Sequence, residues 1–390
     1  MSSSNPPLAV RQCGDRGRGL FTTRNIKPGE TLICEPPLLL IVTDECKLNT
    51  CCNCLKISES DTIRICTSCK RACFCSDHCE AEARRPFGHH EEFICMLFAN
   101  IKWSGLNDEA QDTLRYLIHA LALRHGANHN PVQQEKFTSL VSLAGEGLEG
   151  SSLVMELHER LCQSVENLLR SKTSVAEVSA LMHKELVNAY GIMAPSSVRG
   201  ETETDMAAGE TRGIGMYAMS SLINHECIPN VARCEDFDKP GEINTSMIFK
   251  TLHDLPEGTE ILQSYFPMTW GLEERQKQLR TVYGFECCCQ RCKIEGEEKD
   301  AVEIDGGDDA GEEEMEENDE MDSTYLNLFF LKYICPQGGC EGTLVPQLGT
   351  SISCCNKCDF SRTEEDFLLS LEEDASDMDG EEDEEMEADD

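Results

Sequence analysis

The chain has 390 residues, of which 40% are hydrophobic and 27% charged, and its formal net charge is −38 at pH 7. This composition suits a globular protein of two or three domains, and the acidic charge disfavours direct binding to nucleic acid, because phosphate contacts need clusters of Lys and Arg. The start, MSSSNPPLAVRQ, lacks the features of a secretory signal, and no apolar run reaches membrane length, so we expect an intracellular, nuclear or cytoplasmic protein that does not bind membranes.

Secondary-structure signals alternate along the chain. Residues 8–45 contain short β-type runs separated by a PGE turn, and residues 104–190 have the apolar spacing of helices, as in DEAQDTLRYLIHALALRH. Strand-like pieces return over 213–265, and TWGLEERQKQLRTVYG has the pattern of a helix. We therefore predict an α+β fold in which a β-rich domain is interrupted by a cysteine-dense module and by helices.

Two acidic runs carry most of the negative charge. Residues 297–322 have a net charge of −14 and residues 371–390 a net charge of −13. Such runs contain too little apolar surface to fold, so both are predicted to be disordered. Solvating tails are the favoured interpretation, and long-range attraction of basic partners, histone tails included, is the alternative.

The 24 cysteines fall into clusters whose pairwise spacing is typical of zinc ligands. Because an intracellular compartment keeps thiols reduced, such clusters indicate metal rather than disulfides. The first cluster offers eight ligands for two tetrahedral zinc ions: Cys51, Cys54, Cys66, Cys69, Cys75, Cys79, His90 and Cys95. His89 is an equal alternative to His90. Cys52 and Cys73 are predicted to be spectators, and Cys13 and Cys46 plain buried thiols.

The second cluster is FECCCQRC. It offers Cys287, Cys289 and Cys292 in C-x-C-x2-C spacing, although Cys288 leaves the register open by one residue. Three thiolates leave one tetrahedral position vacant. Cys227, in the stretch NHECIPN, is the candidate for that position.

The third cluster lies near the C-terminus. Cys335 and Cys340 form one hairpin-like pair, and Cys355 and Cys358 form another, with Cys354 as an alternate. Two such pairs predict a zinc ribbon. The whole chain is therefore expected to bind three or four zinc ions.

Six stretches, in their order and spacing, resemble the SET-and-MYND family of protein lysine methyltransferases. They are RGRGLF (16–21), the cysteine module (51–95), LVNAYGI (186–192), NHECIPN (224–230), GTEILQSYF (258–266) and YGFECCCQRC (283–292). The likeness covers residues 8 to about 293. The short length and the acidic tail resemble the short plant members, the ASH-related histone-lysine methyltransferases.

The resemblance implies a binding site for S-adenosylmethionine. Its residues in this sequence would be Arg18, Gly19, Asn188, Asn224, His225, Tyr265 and Phe285. In the family, the NHxCxPN stretch is threaded under a loop beside the cofactor, so Cys227 would complete the zinc site of the second cluster. Phe285 would lie against adenine. Glu226 replaces the usual Ser of this stretch, and Tyr190 replaces the Phe of the N-x-F pattern that begins at Asn188.

The resemblance also implies the chemistry. Tyr265 resembles the catalytic tyrosine and Tyr283 an aromatic wall of the lysine channel, so the expected activity is methylation of a protein lysine, in a histone tail or another lysine-bearing protein. The alternative is a catalytically silent zinc scaffold that binds proline-rich peptides through the MYND module. We favour the enzyme, because the matching site residues are all present.

The expected domains follow the same stretches. They are the first part of the SET domain at 8–50, the MYND module at 51–95, a helical insertion at 96–195, the SET core at 196–270, a post-SET zinc region at 271–295, an acidic linker at 296–322, a zinc-ribbon-like module at 323–370 and an acidic tail at 371–390.

Overall fold

The computed structural model describes residues 7–58, 63–164, 173–194, 211–235, 237–238, 244–304 and 323–371. The chain divides into two compact units. The first unit comprises Met1–Leu32, Ile223–Cys234 and Phe249–Asp390, and the second comprises Ile33–Leu222 and Glu235–Ile248. The cysteine module and the long helices therefore belong to the second unit, and the last module belongs to the first.

The α-helices are α1 Asp77–Ala83, α2 Glu92–Asn100, α3 Asp108–Ala127, α4 Pro131–Val141, α5 Ser152–Ser164, α6 Val175–Asn188, α7 Leu272–Gln278, α8 Gln290–Ile304 and α9 Ser323–Tyr333. The strands are β1 Leu8–Gln12, β2 Arg18–Thr22, β3 Thr31–Glu35, β4 Leu39–Val42, β5 Arg64–Ile65, β6 Cys73–Phe74, β7 Tyr190–Met193, β8 Thr211–Met216, β9 Asn224–His225, β10 Val231–Cys234, β11 Met247–Thr251, β12 Leu262–Gln263, β13 Leu344–Pro346, β14 Ile352–Cys355 and β15 Ser361–Thr363.

Helix α3 is at the centre of the second unit. Residues 114–123 are all buried, as expected for a helix that other elements surround. At its N-terminus the Asn107 side chain accepts a hydrogen bond from the Ala110 N–H, and Asp108 and Glu109 lie in the first turn, where negative charge favours the helix. Three strands form an antiparallel sheet in this unit, in the order β4–β8–β7.

A buried ionic cluster ties the cysteine module to α3. Asp44 accepts hydrogen bonds from Arg115 Nη2 at 2.8 Å and from Arg71 Nη1 at 3.2 Å. Both guanidinium groups also lie over the Trp103 ring. Asp44 and Trp103 each contact both Arg71 of the cysteine module and Arg115 of α3, and these contacts hold the module against the helix.

The first unit is organised by the segment that precedes Tyr265. Strands β1 and β2 form a hairpin in which Leu8 lies opposite Thr22. Ile261 N donates to Leu20 O at 2.8 Å, so residues 259–261 pair with β2. The next two residues, β12, pair in parallel with β9. One short segment thus joins the hairpin to the NHECIPN stretch.

The last module packs on the same unit. Strands β13, β14 and β15 form an antiparallel meander, and Tyr333 of α9 donates from its hydroxyl to Leu252 O at 3.0 Å. At Gly29, where φ is 76°, a Cβ would lie 2.3 Å from Pro346 O, so only glycine permits this approach. One buried cluster contains residues from both parts: Ala232, Leu252, Met268, Phe329, Tyr333 and Val345.

The predicted α+β class and the order of strands and helices are confirmed. The predicted start of the disordered linker is wrong, because α8 continues to Ile304 and so covers residues 296–304. The rest of the predicted disorder, at 305–322 and 372–390, lies outside the described residues.

Candidate active site and metal centres

The NHECIPN stretch is hydrogen-bonded along its length to the segment before Tyr265. Glu226 N donates to Gln263 O at 2.9 Å, and Asn230 N donates to Leu262 O at 3.1 Å. The Asn230 side chain continues the pairing, since its Oδ1 accepts from Leu262 N at 2.8 Å and its Nδ2 donates to the Glu260 carbonyl at 2.9 Å. The two predicted motifs therefore form one rigid structure.

His225 connects Tyr265 to a cysteine cluster. Its Nδ1 accepts a hydrogen bond from Tyr265 N at 3.2 Å, and its Nε2 lies 3.2 Å from Cys227 Sγ. Burial lowers the pKa of His225 to about 4, so the ring is neutral at pH 7. Because Nδ1 accepts, Nε2 must carry the hydrogen and donate it to the sulfur.

Aromatic rings surround Tyr265. Its ring centroid lies 4.8 Å from that of Tyr283 and 5.1 Å from that of His225, and its hydroxyl donates to Ile223 O at 3.2 Å. Burial raises the pKa of Tyr265 above its ordinary value. Phe285 lies 6.4 Å from both His225 and Tyr283 but is 41% exposed, so one part of this cluster is open to solvent.

Two further rings complete the cluster and were not predicted. Phe266 follows Tyr265 directly and stacks on Trp270 with centroids 5.1 Å apart and an interplanar angle of 4°. It also lies 6.3 Å from Tyr283. The signal was in the sequence, since SYFPMTW places three aromatic residues within six positions.

The remaining predicted cofactor residues divide between the units. Asn224 Nδ2 donates to Arg18 O at 3.3 Å, and Gly19 adjoins the same Asn224 side chain. These three residues therefore lie together in the first unit. Asn188 lies in the second unit, at the end of α6, where its Nδ2 donates to Ala144 O at 2.9 Å and to Lys184 O at 2.8 Å.

The four predicted cysteines of the second cluster come together. The sulfurs of Cys227, Cys287, Cys289 and Cys292 all lie within 4.8 Å of one another, and Cys227 Sγ is 3.6 Å from that of Cys292. Four sulfurs bound to one zinc ion at about 2.3 Å are about 3.8 Å apart. Cys288 is exposed and outside the set, which resolves the register of the triple cysteine.

Two buried arginines adjoin these sulfurs. Arg275, which is 0% exposed, lies with its Nη2 3.7 Å from Cys292 Sγ and 2.7 Å from Glu295 Oε2. Arg291 donates to Glu295 at 2.5 Å and to Cys227 O at 3.4 Å. One carboxylate leaves this pair with excess positive charge. Zinc with four thiolates carries a net charge of −2, so the donor set and its surroundings fit a bound zinc ion.

The cysteine module holds two interleaved sets. One set contains Cys51, Cys54, Cys75 and Cys79. The other contains Cys66, Cys69, His90 and Cys95. His90 Nε2 is 3.5 Å from Cys69 Sγ, so His90 rather than His89 belongs to the set. Burial lowers the pKa of His90 to about 4, which leaves it neutral, as a ligand must be.

The last module also gathers its four cysteines. Cys335, Cys340, Cys355 and Cys358 form one set, whose sulfur pairs 335–358 and 340–355 are each 3.7 Å apart. Cys354 is not in the set. The spacing again matches four thiolates around one zinc ion, so the described residues contain four sets that can hold zinc.

One cysteine prediction is wrong. Cys13 is half-buried rather than buried, and its Sγ lies 3.4 Å from Glu260 Oε1. The predicted spectator Cys73 is buried and lies outside both sets of the module. Its Sγ is 3.0 Å from Lys47 O and from Thr50 O, so its one hydrogen is shared between two acceptors.

Comparison with known proteins gives the family. A model of the SET domain matches residues 17–266, well over half of the chain. The chain belongs to the SET domain family. Histone-lysine N-methyltransferase ASHR2 of Arabidopsis thaliana is 30% identical to this SET protein over 87% of the chain and 90% of its own length. Histone-lysine N-methyltransferase SMYD3 of Homo sapiens is 27% identical, over 80% of this chain and 67% of its own length.

A further relative and a solved structure were also compared with this chain. A SET and MYND domain-containing protein of Dictyostelium discoideum is 20% identical to this SET protein over 76% of the chain and 84% of its own length. The predicted resemblance to the SET-and-MYND family is confirmed. Among solved structures, the SET domain of LSMT bound to lysine and AdoHcy matches at a TM-score of 0.32 and 11% identity, over 73% of this chain and 54% of that one, too distant to carry a conclusion. Among the described residues of this SET protein, no helix is long and apolar enough to cross a membrane.

Proposed function

We propose that this SET protein is an S-adenosylmethionine-dependent protein-lysine N-methyltransferase that acts on histone lysine. The observation that carries the proposal is the position of Tyr265, a buried phenol beside Tyr283 whose segment is paired with the Asn224–His225 stretch. The names of ASHR2 and SMYD3, both histone-lysine N-methyltransferases, support the same activity and substrate class. They disfavour the alternative of a silent zinc scaffold.

The cofactor residues are those that the family resemblance gives. Arg18, Gly19 and Asn224 adjoin one another and would bind the methionine end. Phe285 would cover adenine, and its exposed ring leaves a face for that contact. His225 belongs to the same set, and the assignment of Asn188 rests on the family resemblance alone. When bound, S-adenosylmethionine supplies an electrophilic methyl group on its sulfonium.

The substrate lysine must lose its proton before it accepts a methyl group. A free lysine has a pKa of about 10.4, and the rings of Tyr265 and Tyr283 would desolvate the ammonium and lower that value. Because burial raises the pKa of Tyr265, its hydroxyl stays protonated. Tyr265 therefore orients the amine through hydrogen bonding instead of removing its proton, and the proton leaves to water.

Zinc has a structural role in this proposal. Each set has four protein ligands and no open position, as in structural zinc sites.

The domain limits predicted from the sequence are kept, apart from the longer α8. None of the 24 cysteines forms a disulfide, which supports an intracellular location. A proline-rich peptide at the MYND module stays a prediction.

The test measures cofactor binding and turnover separately. Zinc-replete protein should bind S-adenosylmethionine in calorimetry and transfer labelled methyl groups to core histones. Tyr265→Phe should keep cofactor affinity within about threefold and lose about 100-fold in turnover, because one oriented hydroxyl is removed. Tyr325→Phe, in α9, is the matched control and should be unchanged.

Either of two results would overturn the assignment. Full turnover by Tyr265→Phe would remove Tyr265 from the catalytic residues. Absence of cofactor binding up to millimolar concentration would instead favour the scaffold.

A further inference from the structure

Glu260 is a site residue that the family resemblance did not supply. Its backbone lies in the segment that joins β2 to β9, and Phe21 is its partner in an isolated antiparallel bridge. Its side chain is only 10% exposed. A buried carboxylate is unfavourable unless it is paired and hydrogen-bonded, so the partners of Glu260 are needed to stabilise its charge.

The carboxylate of Glu260 has three partners. Oε2 accepts from Arg16 Nη2 at 2.5 Å, and this arginine is 53% exposed. Oε1 accepts from Asn224 Nδ2 at 2.8 Å and from the Cys13 thiol at 3.4 Å. Glu260 therefore links the loop between β1 and β2 to the first residue of the NHECIPN stretch.

The contact with Glu260 determines the orientation of the Asn224 amide. A carboxylate only accepts hydrogen bonds, so Nδ2 and not Oδ1 must face it. The second hydrogen of Nδ2 is directed at Arg18 O, 3.3 Å away. Oδ1 is then turned to the other side of the amide, where it can only accept a hydrogen bond. In the part of the chain that the structure describes, no group donates to it.

Gly19 leaves room for this arrangement. A Cβ at residue 19 would lie 2.6 Å from Glu260 Oε1, 2.6 Å from Cys13 Sγ and 3.0 Å from Asn224 Nδ2. The φ angle of Gly19 is not in the left-handed region, so the glycine is needed for space and not for backbone conformation. Any larger side chain would push the carboxylate away from Asn224.

We infer that Glu260 is a positioning residue that presents Asn224 Oδ1 as an acceptor for the α-ammonium group of S-adenosylmethionine. In the proposed function the methionine end of the cofactor lies at Arg18, Gly19 and Asn224, and a fixed amide oxygen there can accept a charge-assisted hydrogen bond from the α-ammonium group. The inference rests on the proposed function.

The test compares two ligands that differ at that end. Glu260→Gln keeps the side-chain volume but can donate as well as accept, so the Asn224 amide is free to turn over. Binding of S-adenosylmethionine should weaken about tenfold, which corresponds to the loss of one charge-assisted hydrogen bond. Binding of 5′-methylthioadenosine, which lacks the amino-acid part, should stay within twofold. In turnover, the KM for S-adenosylmethionine should rise while kcat at saturation changes little.

The control variants isolate the route through Asn224. Glu257→Gln, three residues earlier and exposed, removes the same charge and should leave both affinities unchanged. In an Asn224→Ala background, Glu260→Gln should have no further effect, because Glu260 acts through that amide. Gly19→Ala should reproduce the selective loss by displacing the carboxylate, which covers the case in which Glu260→Gln folds poorly.

The outcomes separate this inference from the proposed function. A wild-type protein that fails to bind S-adenosylmethionine contradicts the proposed function itself. Wild-type binding with an unchanged Glu260→Gln variant overturns only the inference. Equal weakening of both ligands, or an additive effect with Asn224→Ala, would mean that Glu260 is a general structural residue and would also overturn it.

Discussion

Two cysteine sets in the first unit each offer four thiols but lie in different surroundings. In the Cys227 set, Cys227 precedes the next ligand, Cys287, by 60 residues, and Cys227 is fully buried. The four cysteines of the Cys335 set come from residues 335–358, and three of them are half-buried. Similar sets of four thiols therefore occur both beside Tyr265, the proposed catalytic residue, and within the last module.

The two sets differ in how they are connected to Tyr265. In the Cys227 set, His225 bridges the sulfur of Cys227 to the backbone N–H of Tyr265 through its two ring nitrogens. The last module contacts the rest of the unit elsewhere, through Tyr333 and through Asn356 Nδ2, which donates to Arg233 O at 2.7 Å. Loss of zinc should therefore have unequal consequences at the two sets.

The largest effect is expected for Cys292→Ser. Removal of one ligand should release the zinc of the Cys227 set, free the NHECIPN stretch and reduce methyl transfer by at least about 100-fold. Zinc analysis should give one ion fewer per chain than the wild type. Cys288→Ser, the exposed neighbour, is the control. Retained activity in a Cys292→Ser protein that has lost this zinc would break the comparison.

An intermediate effect is expected for Arg275→Gln. The buried guanidinium adjoins Cys292 and offsets the negative charge of the thiolates, so its removal should weaken zinc binding by about 10- to 100-fold, as loss of an outer hydrogen bond typically does. Chelator competition measures this affinity. Arg280→Gln, a surface arginine paired with Glu286, should have no effect. Equal weakening of the Cys335 set would contradict a local role.

The smallest effect on activity is expected for Cys358→Ser. Loss of the last zinc should destabilise the module by roughly 3 kcal/mol and lower the unfolding temperature by roughly 5 to 10 °C. Methyl transfer at 25 °C should stay within about threefold of the wild type, with Cys354→Ser as the control. If activity fell as far as in Cys292→Ser, the two sets would not differ in role.

The predictions that succeeded from sequence concern local spacing and the order of motifs. C-x2-C pairs must bring two sulfurs to one side of a tight turn, so Cys51 with Cys54 and Cys66 with Cys69 follow from spacing alone. The prediction of Cys227 as fourth ligand rested on counting a missing donor, and the geometry brings it to Cys292.

Partners that depend on packing were missed. Nothing in the sequence near Glu260 indicates that it meets Asn224, 36 residues away, or Arg16, 244 residues away. The burial of Arg275 was also missed, because the helix sequence LEERQKQ does not indicate that this arginine is completely buried. Chain-distant polar contacts of this kind are decided by how the intervening elements pack, which spacing cannot specify.

The sequence by itself determined the family, the α+β class, the ligand pairs and the residue types at the site, because each of these follows from motifs spanning a few neighbouring residues. Only the tertiary structure decided which pairs share a zinc ion, that His90 and not His89 faces Cys69, and which side of the Asn224 amide meets Glu260. The reason is physical. A turn restricts residues that are two or three positions apart, whereas the choice among distant partners is made by the packing of the whole core between them.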